Sequence, residues 1–248
     1  MKIWMAIITF FFLVGCTTPQ SGKTPINMAK AKQSQGEGFL EQGNYTAALT
    51  HLLEAKKTLA KDPYLLNSLG LAYMGKKRED LALKEFDKAL ALKPDYTEAL
   101  NNKGAAYMRQ KQWDLAIDAF SSVLEDILYP TPHFPLSNLG FAYMGKLDFS
   151  MAEVYFRKAL DTLPWFVTAS HGLAQVYLRT HRPDQAIAHL RQGLKKTPNA
   201  AILYADMAKA LETNGETEPA KRYWIKVAQL SPARSLLAKE AEARLSSP

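Results

Sequence analysis

The sequence predicts an all-α superhelix of six stacked helix-turn-helix repeats, closed by a C-terminal capping helix. Three observations carry this reading. Small residues stand at Gly36, Gly70, Gly104, Gly140, Ala174 and Ala208, at intervals of 34, 34, 36, 34 and 34 residues. Twelve residues after each comes an alanine (Ala48, Ala82, Ala116, Ala152, Ala186, Ala220), and four later a large apolar residue (Leu52, Phe86, Phe120, Phe156, Leu190, Trp224). Pro94, Pro164, Pro198 and Pro232 close four of the units. A fixed period in the range of about 20–50 residues is the signature of a repeat array, in which units bury their faces only by stacking on neighbours. Apolar residues make up 47% of the 248 and charged residues 22%, which excludes disorder over most of the length.

The amino end reads as an address. Lys2 is a positive start, residues 3–14 are apolar, and Leu13-Val14-Gly15-Cys16 follows. A membrane-spanning helix needs about 20 apolar residues, so this stretch is too short to be one. The end of the stretch resembles the lipobox of bacterial lipoproteins. The resemblance implies a signal peptide over 1–15, cleavage before Cys16, and acylation of that cysteine. Residues 16–28 are polar and breaker-rich at first and predict a flexible tether. Ser21-Gly22-Lys23-Thr24 holds part of a phosphate-binding loop, but the required earlier glycine position is Thr17 and no apolar strand precedes it.

The repeats then fall over 29–62, 63–96, 97–132, 133–166, 167–200 and 201–232. Each carries two apolar stripes at helical spacing, such as Leu66, Leu69, Tyr73 and then Ala82, Phe86, Ala89. The small residue lets helices A and B cross closely. Proline ends helix B because it lacks an N–H and clashes with the preceding turn. The one 36-residue interval places two extra residues around Tyr129-Pro130-Thr131-Pro132-His133-Phe134-Pro135, a stiff loop that is either a contact or a spacer. Residues 233–248 hold an amphipathic stretch with Leu236, Leu237, Ala241 and Leu245, read as a cap on repeat six.

Leu69-Gly70-Leu71-Ala72-Tyr73, Ala82-Leu83-Lys84-Glu85-Phe86 and Pro94 resemble the tetratricopeptide repeat. The resemblance covers 29–232 and implies a right-handed superhelix. It also implies that positions 2, 5, 9 and 12 of helix A line a concave groove. Those positions give Tyr64, Asn67, Leu71 and Met74 in repeat two, with Glu98, Asn101, Ala105 and Met108 in repeat three. They give Phe134, Phe141 and Met144 in repeat four, with His171 and Leu178 in repeat five. Methionine is adaptable and over-used on peptide-binding surfaces. Either these Met and Phe side chains line a groove, or they pack between helices as core.

Catalytic and metal motifs are missing. There is no HExxH or GxSxG, no two of the five histidines stand four residues apart, and Cys16 is the sole cysteine. The reading is therefore non-enzymatic, with no cofactor and no small-molecule substrate. The formal charge is +7, and much of the excess sits in repeat five, where Arg179, Arg182, Arg191, Lys195 and Lys196 face Asp184 alone. Nucleic acid would demand a larger basic stripe. That charge serves an anionic lipid surface, an acidic partner or ordinary solubility.

Six such repeats behind a lipobox are similar to the PilF/PilW/Tgl group, the pilotin lipoproteins of type IV pilus biogenesis. Leu128-Tyr129-Pro130 and Asn138-Leu139-Gly140, at the junction of repeats three and four, carry a further local likeness. The resemblance implies a lipid anchor at the periplasmic face of the outer membrane and a groove holding a segment of the secretin subunit. The alternative is a scaffold lipoprotein for another envelope pathway, such as outer-membrane protein assembly or docking of peptidoglycan hydrolases.

Overall fold

The structure is a computed structural model that describes residues 24–246. Among the described residues there are thirteen α-helices and no strand. They run α1 (Pro25–Glu41), α2 (Tyr45–Lys56), α3 (Pro63–Gly75), α4 (Glu79–Leu92), α5 (Thr97–Arg109), α6 (Trp113–Val123), α7 (His133–Gly145), α8 (Phe149–Thr162), α9 (Val167–Arg179), α10 (Pro183–Lys196), α11 (Ala201–Thr213), α12 (Thr217–Leu230) and α13 (Leu236–Ser246). Odd-numbered helices up to α11 are the A helices of the predicted repeats, and each packs on the B helix that follows it. Each A helix also packs closely on the next A helix, whereas successive B helices stand farther apart and meet through long side chains, as Lys56 of α2 does with Glu85 of α4. The A helices therefore lie on the inside of the curve.

The small residue of helix A is needed for that pairing. A Cβ added at Gly140 would stand 2.6 Å from Phe156 Cε1, and one at Gly104 would stand 2.7 Å from Phe120 Cε1. Phe86, Phe120, Phe156 and Trp224 are fully buried at these crossings. Every A–B turn ends helix A in one way. Gly43, Lys77, Lys111, Leu147, His181 and Gly215 all take positive φ. In each turn the next residue's N–H returns to the carbonyl five positions back, as from Arg78 to Tyr73, Asp148 to Tyr143 and Arg182 to Tyr177. This is a Schellman closure, and it satisfies carbonyls that the helix end leaves unpaired. At the far ends, Pro94, Pro164, Pro198 and Pro232 each stand two residues beyond the last residue of α4, α8, α10 and α12.

Two boundaries differ from the sequence reading. Residues 25–28, assigned to the tether, are the first turn of α1. Thr24 Oγ1 accepts from Asn27 N at 3.2 Å and Pro25 takes the first helical position, a strong start signal. At the other end α13 begins at Leu236, with Ser235 Oγ accepting from Ala238 N at 3.1 Å. Leu236 is 87% exposed, so it is not part of the capping face; Ala238 and Ala241 are buried there, with Leu237 and Leu245 packed beside them. The signal peptide, Cys16 and most of the tether lie outside the described residues.

Candidate functional site: a recess on the inner face

A recess of about 530 Å³ opens on the A-helix face between repeats two and three. Tyr64, Asn67, Leu71 and Asn101, all positions that the groove scheme names, line it. Lys93, Tyr96, Glu98, Asn102 and Tyr129 complete it. Tyr129 comes from the loop between α6 and α7, the place of the longer repeat interval. That loop is the longest connection among the described repeats: α6 stops at Val123 and α7 starts only at His133. Its Ile127 and Leu128 are almost wholly exposed, while Tyr129 is half-buried against the recess.

One wall is aromatic and cationic. Tyr64 and Tyr96 meet edge to face at 5.1 Å between centroids. Lys93 Nζ donates to Tyr64 Oη at 3.1 Å and lies 5.1 Å from each ring. The bond to Tyr64 raises the Lys93 pKa and keeps the ammonium charged. Burial, with Glu98 and Tyr64 nearby, pushes the Tyr96 phenol up to about 12, so it stays a neutral donor. The floor is built from amides. Asn67 Nδ2 donates to Tyr96 Oη at 3.3 Å, Asn102 Nδ2 donates to Asn67 Oδ1 at 3.0 Å, and Asn138 Nδ2 donates to Asn101 Oδ1 at 3.4 Å. These bonds tie α3, α5 and α7 together and hold the amides in fixed orientations. An extended peptide offers one N–H and one C=O per residue, and held amides and phenols suit that pattern.

The remaining predicted groove residues do not gather at the recess. Met74 is only 6% exposed and packs with Ala82, Phe86 and Ala106, so it is core and not groove wall. Met108 and Met144 are half-buried against neighbouring core clusters. Phe141 meets Phe156 edge-on at 4.8 Å, and Leu178 packs on the same core. The methionine row is thus mostly inter-helix packing. Phe134 is exposed at the start of α7 but turns into an aromatic cluster with His133 and Phe166, at 4.4 and 5.2 Å. His171 is tied down: its Nδ1 lies 2.6 Å from Asp206 Oδ2, and Gln175 Nε2 donates to Asp206 Oδ1 at 2.8 Å. This fully buried carboxylate joins α9 to α11. Lys93, Tyr96, Asn102 and Tyr129 were missed because the scheme counted four positions of helix A only. The Leu-Tyr-Pro motif was the signal that could have placed Tyr129.

Comparison with known proteins agrees with this architecture. A family model described as tetratricopeptide repeat matches residues 34–97 and 67–131, and a second of the same description matches 148–211. Anaphase-promoting complex subunit 3 of Schizosaccharomyces pombe is 26% identical over 109 residues; the match takes in 44% of this chain, and the chain spans only 16% of that protein. PilF of Pseudomonas aeruginosa superposes with a TM-score of 0.69 at 21% identity, over 89% of this chain and 99% of PilF. PilW, a type IV pilus biogenesis factor, superposes with a TM-score of 0.75 at 22% identity, over 86% of this chain and 98% of PilW. The repeat period, the thirteen helices and the two family models, which together cover more than half of the length, lead to one conclusion: the chain belongs to the tetratricopeptide-repeat family.

Proposed function

We propose that this chain is a non-enzymatic adaptor of type IV pilus biogenesis, a pilotin that holds a segment of the secretin subunit at the outer membrane. The observation that carries the reading is co-extension. PilF and PilW are covered almost end to end, at 99% and 98% of their lengths, and in turn cover 89% and 86% of this chain. The recess supports it, because Tyr129 of the Leu-Tyr-Pro junction closes a cavity already lined by Tyr64, Asn67 and Asn101. In this reading Cys16 is acylated and holds the array at the periplasmic face, since two or more acyl chains anchor stably where one does not. The secretin segment lies along the inner face, and the complex reaches the membrane where the pore assembles. No bond is made or broken.

The test is Cys16→Ser in the cell, read by membrane fractionation and by heat-resistant secretin multimers on gels. The proposal expects the chain to leave the outer membrane and the multimers to fall at least about tenfold. Unchanged multimers with a displaced chain would remove the pilotin role and leave the interaction scaffold standing.

A further inference from the structure

Repeat six departs from the others at one position, and a cavity stands there. The third residue from the end of helix A is Tyr73, Tyr107, Tyr143 and Tyr177 in repeats two to five, but Leu211 in repeat six. At the junction of repeats four and five the tyrosine is a plug. Tyr177 is 3% exposed, and Arg157 Nη2 donates to its Oη at 2.6 Å. Arg182 lies 4.8 Å above its ring, and Glu153 accepts from both arginines. Those two hydrogen bonds outweigh burial and hold the Glu153 carboxyl below its ordinary pKa.

One repeat later the same four places hold Ile187, Arg191, Leu211 and Glu216. The glutamate that paired with the arginine has become isoleucine, and the phenol has gone. In their place is a cavity of about 540 Å³ between α10 and α12, floored by α11. Its floor is apolar, with Ile187, Met207 and Leu211 all under 10% exposed. Tyr204 and Tyr223 wall it, with ring centroids 6.1 Å apart. Arg191, Arg222 and Lys226 stand at the rim, and none of them enters an ion pair with a described residue. Glu216, on the turn side, is the single acid there, and it accepts from Asn214 Nδ2.

We propose that this cavity binds an acidic peptide segment of a partner protein that carries an aromatic side chain next to carboxylates. The ligand supplies what the junction lacks: a ring over Leu211, and carboxylates for Arg191 and Arg222. Bidentate pairing with carboxylates is what a guanidinium does best, and an aromatic over an apolar floor is a common peptide anchor. The site is on the outer face and is independent of the recess in repeats two and three. Of the basic residues of repeat five it uses Arg191, beside Arg222 and Lys226 of repeat six.

The test is fluorescence anisotropy of the full chain with a fluorescein-labelled probe, Gly-Asp-Glu-Phe-Glu-Asp-Gly. Saturable binding is expected. It should weaken at least about tenfold when the probe's Phe becomes Ala, and equally when its acids become amides, a loss of about 1.4 kcal/mol. Arg191→Gln with Arg222→Gln, both at the surface, should weaken it to the same degree. The triple variant I187E/L211Y/E216R restores all four groups of the preceding junction and so rebuilds its closed form. It should abolish binding while keeping the helical circular dichroism and the urea midpoint. Equal binding by the amide probe or by the arginine double variant would overturn the proposal, as would absence of saturation at millimolar probe. Displacement by soluble dihexanoyl phosphatidylglycerol, with no loss for the probe lacking Phe, would make the cavity a lipid-headgroup site instead and also overturn it.

Discussion

Leu147 holds a conformation that its side chain opposes. It takes φ of 64° at the α7–α8 turn, and its side chain is 67% exposed, so no packing rewards the strain. The left-handed region costs a non-glycine residue about 1–2 kcal/mol, and Gly43 and Gly215 fill the same place in repeats one and six without that cost. Leu147→Gly should therefore stabilise the chain by about 1 kcal/mol, offset only in part by added freedom in the unfolded state. Urea unfolding with an unchanged slope and a raised midpoint would show it. His189 behaves differently. It packs beside Ser170, with its Nε2 2.9 Å from the hydroxyl oxygen, and burial pushes its pKa below the ordinary histidine value. The unfolded chain then binds a proton that the folded chain resists, so stability falls as pH drops below about 6.5 and the loss is complete below the folded pKa. Urea midpoints at pH 7.5 and 5.5 should differ for the natural chain, and His189→Asn should narrow the difference.

At the scale of elements, close crossing governs. Gly140→Ala puts a methyl against the Phe156 ring, which is fully buried and has nowhere to go. Overpacking of this kind costs about 1–3 kcal/mol. Calorimetry should register it, and an Ala174→Gly change should not rescue it. The helices themselves were legible from period, small residues and prolines, because each signal acts locally on backbone geometry. The face that each side chain takes was not. In α3, eight of thirteen positions are buried, since an A helix touches its own B helix, the previous B helix and its neighbouring A helices. Such a helix has almost no free side, and a fixed positional scheme then cannot separate Met74 in the core from Leu71 at the recess. Polar positions were read better: Asn67 and Asn101 reached the inner face, because an amide at a helix junction needs partners that the inner face supplies. Tyr129 and Lys93 escaped because loop residues have no period to betray them.

At the scale of the molecule, stability passes from repeat to repeat. α13 is the last lid: Trp224 Nε1 donates to Glu212 at 2.7 Å, Arg244 bonds the same carboxylate at 3.1 Å, and Lys209 pairs with Glu240 at 2.8 Å. Ending the chain before α13 would uncover the repeat-six core, and a nearest-neighbour array loses its terminal unit first. Hydrogen exchange should then show protection lost in α11 and α12 and kept in α3 to α6. Loss spread evenly over all repeats would contradict the nearest-neighbour picture. The same modularity separates the recess of repeats two and three from the cavity of repeats five and six, so changes at one should leave the other's binding intact.

The central claim is that the recess closed by Tyr129 holds the partner segment. A photo-reactive residue at Tyr129, in the living cell, tests it most directly, with captured protein identified by mass spectrometry. The account predicts capture of a secretin subunit, strongly reduced by Asn67→Ala with Asn101→Ala. Capture that is indifferent to both amides, or capture from the exposed α12 position Ile225 with none from Tyr129, would contradict it.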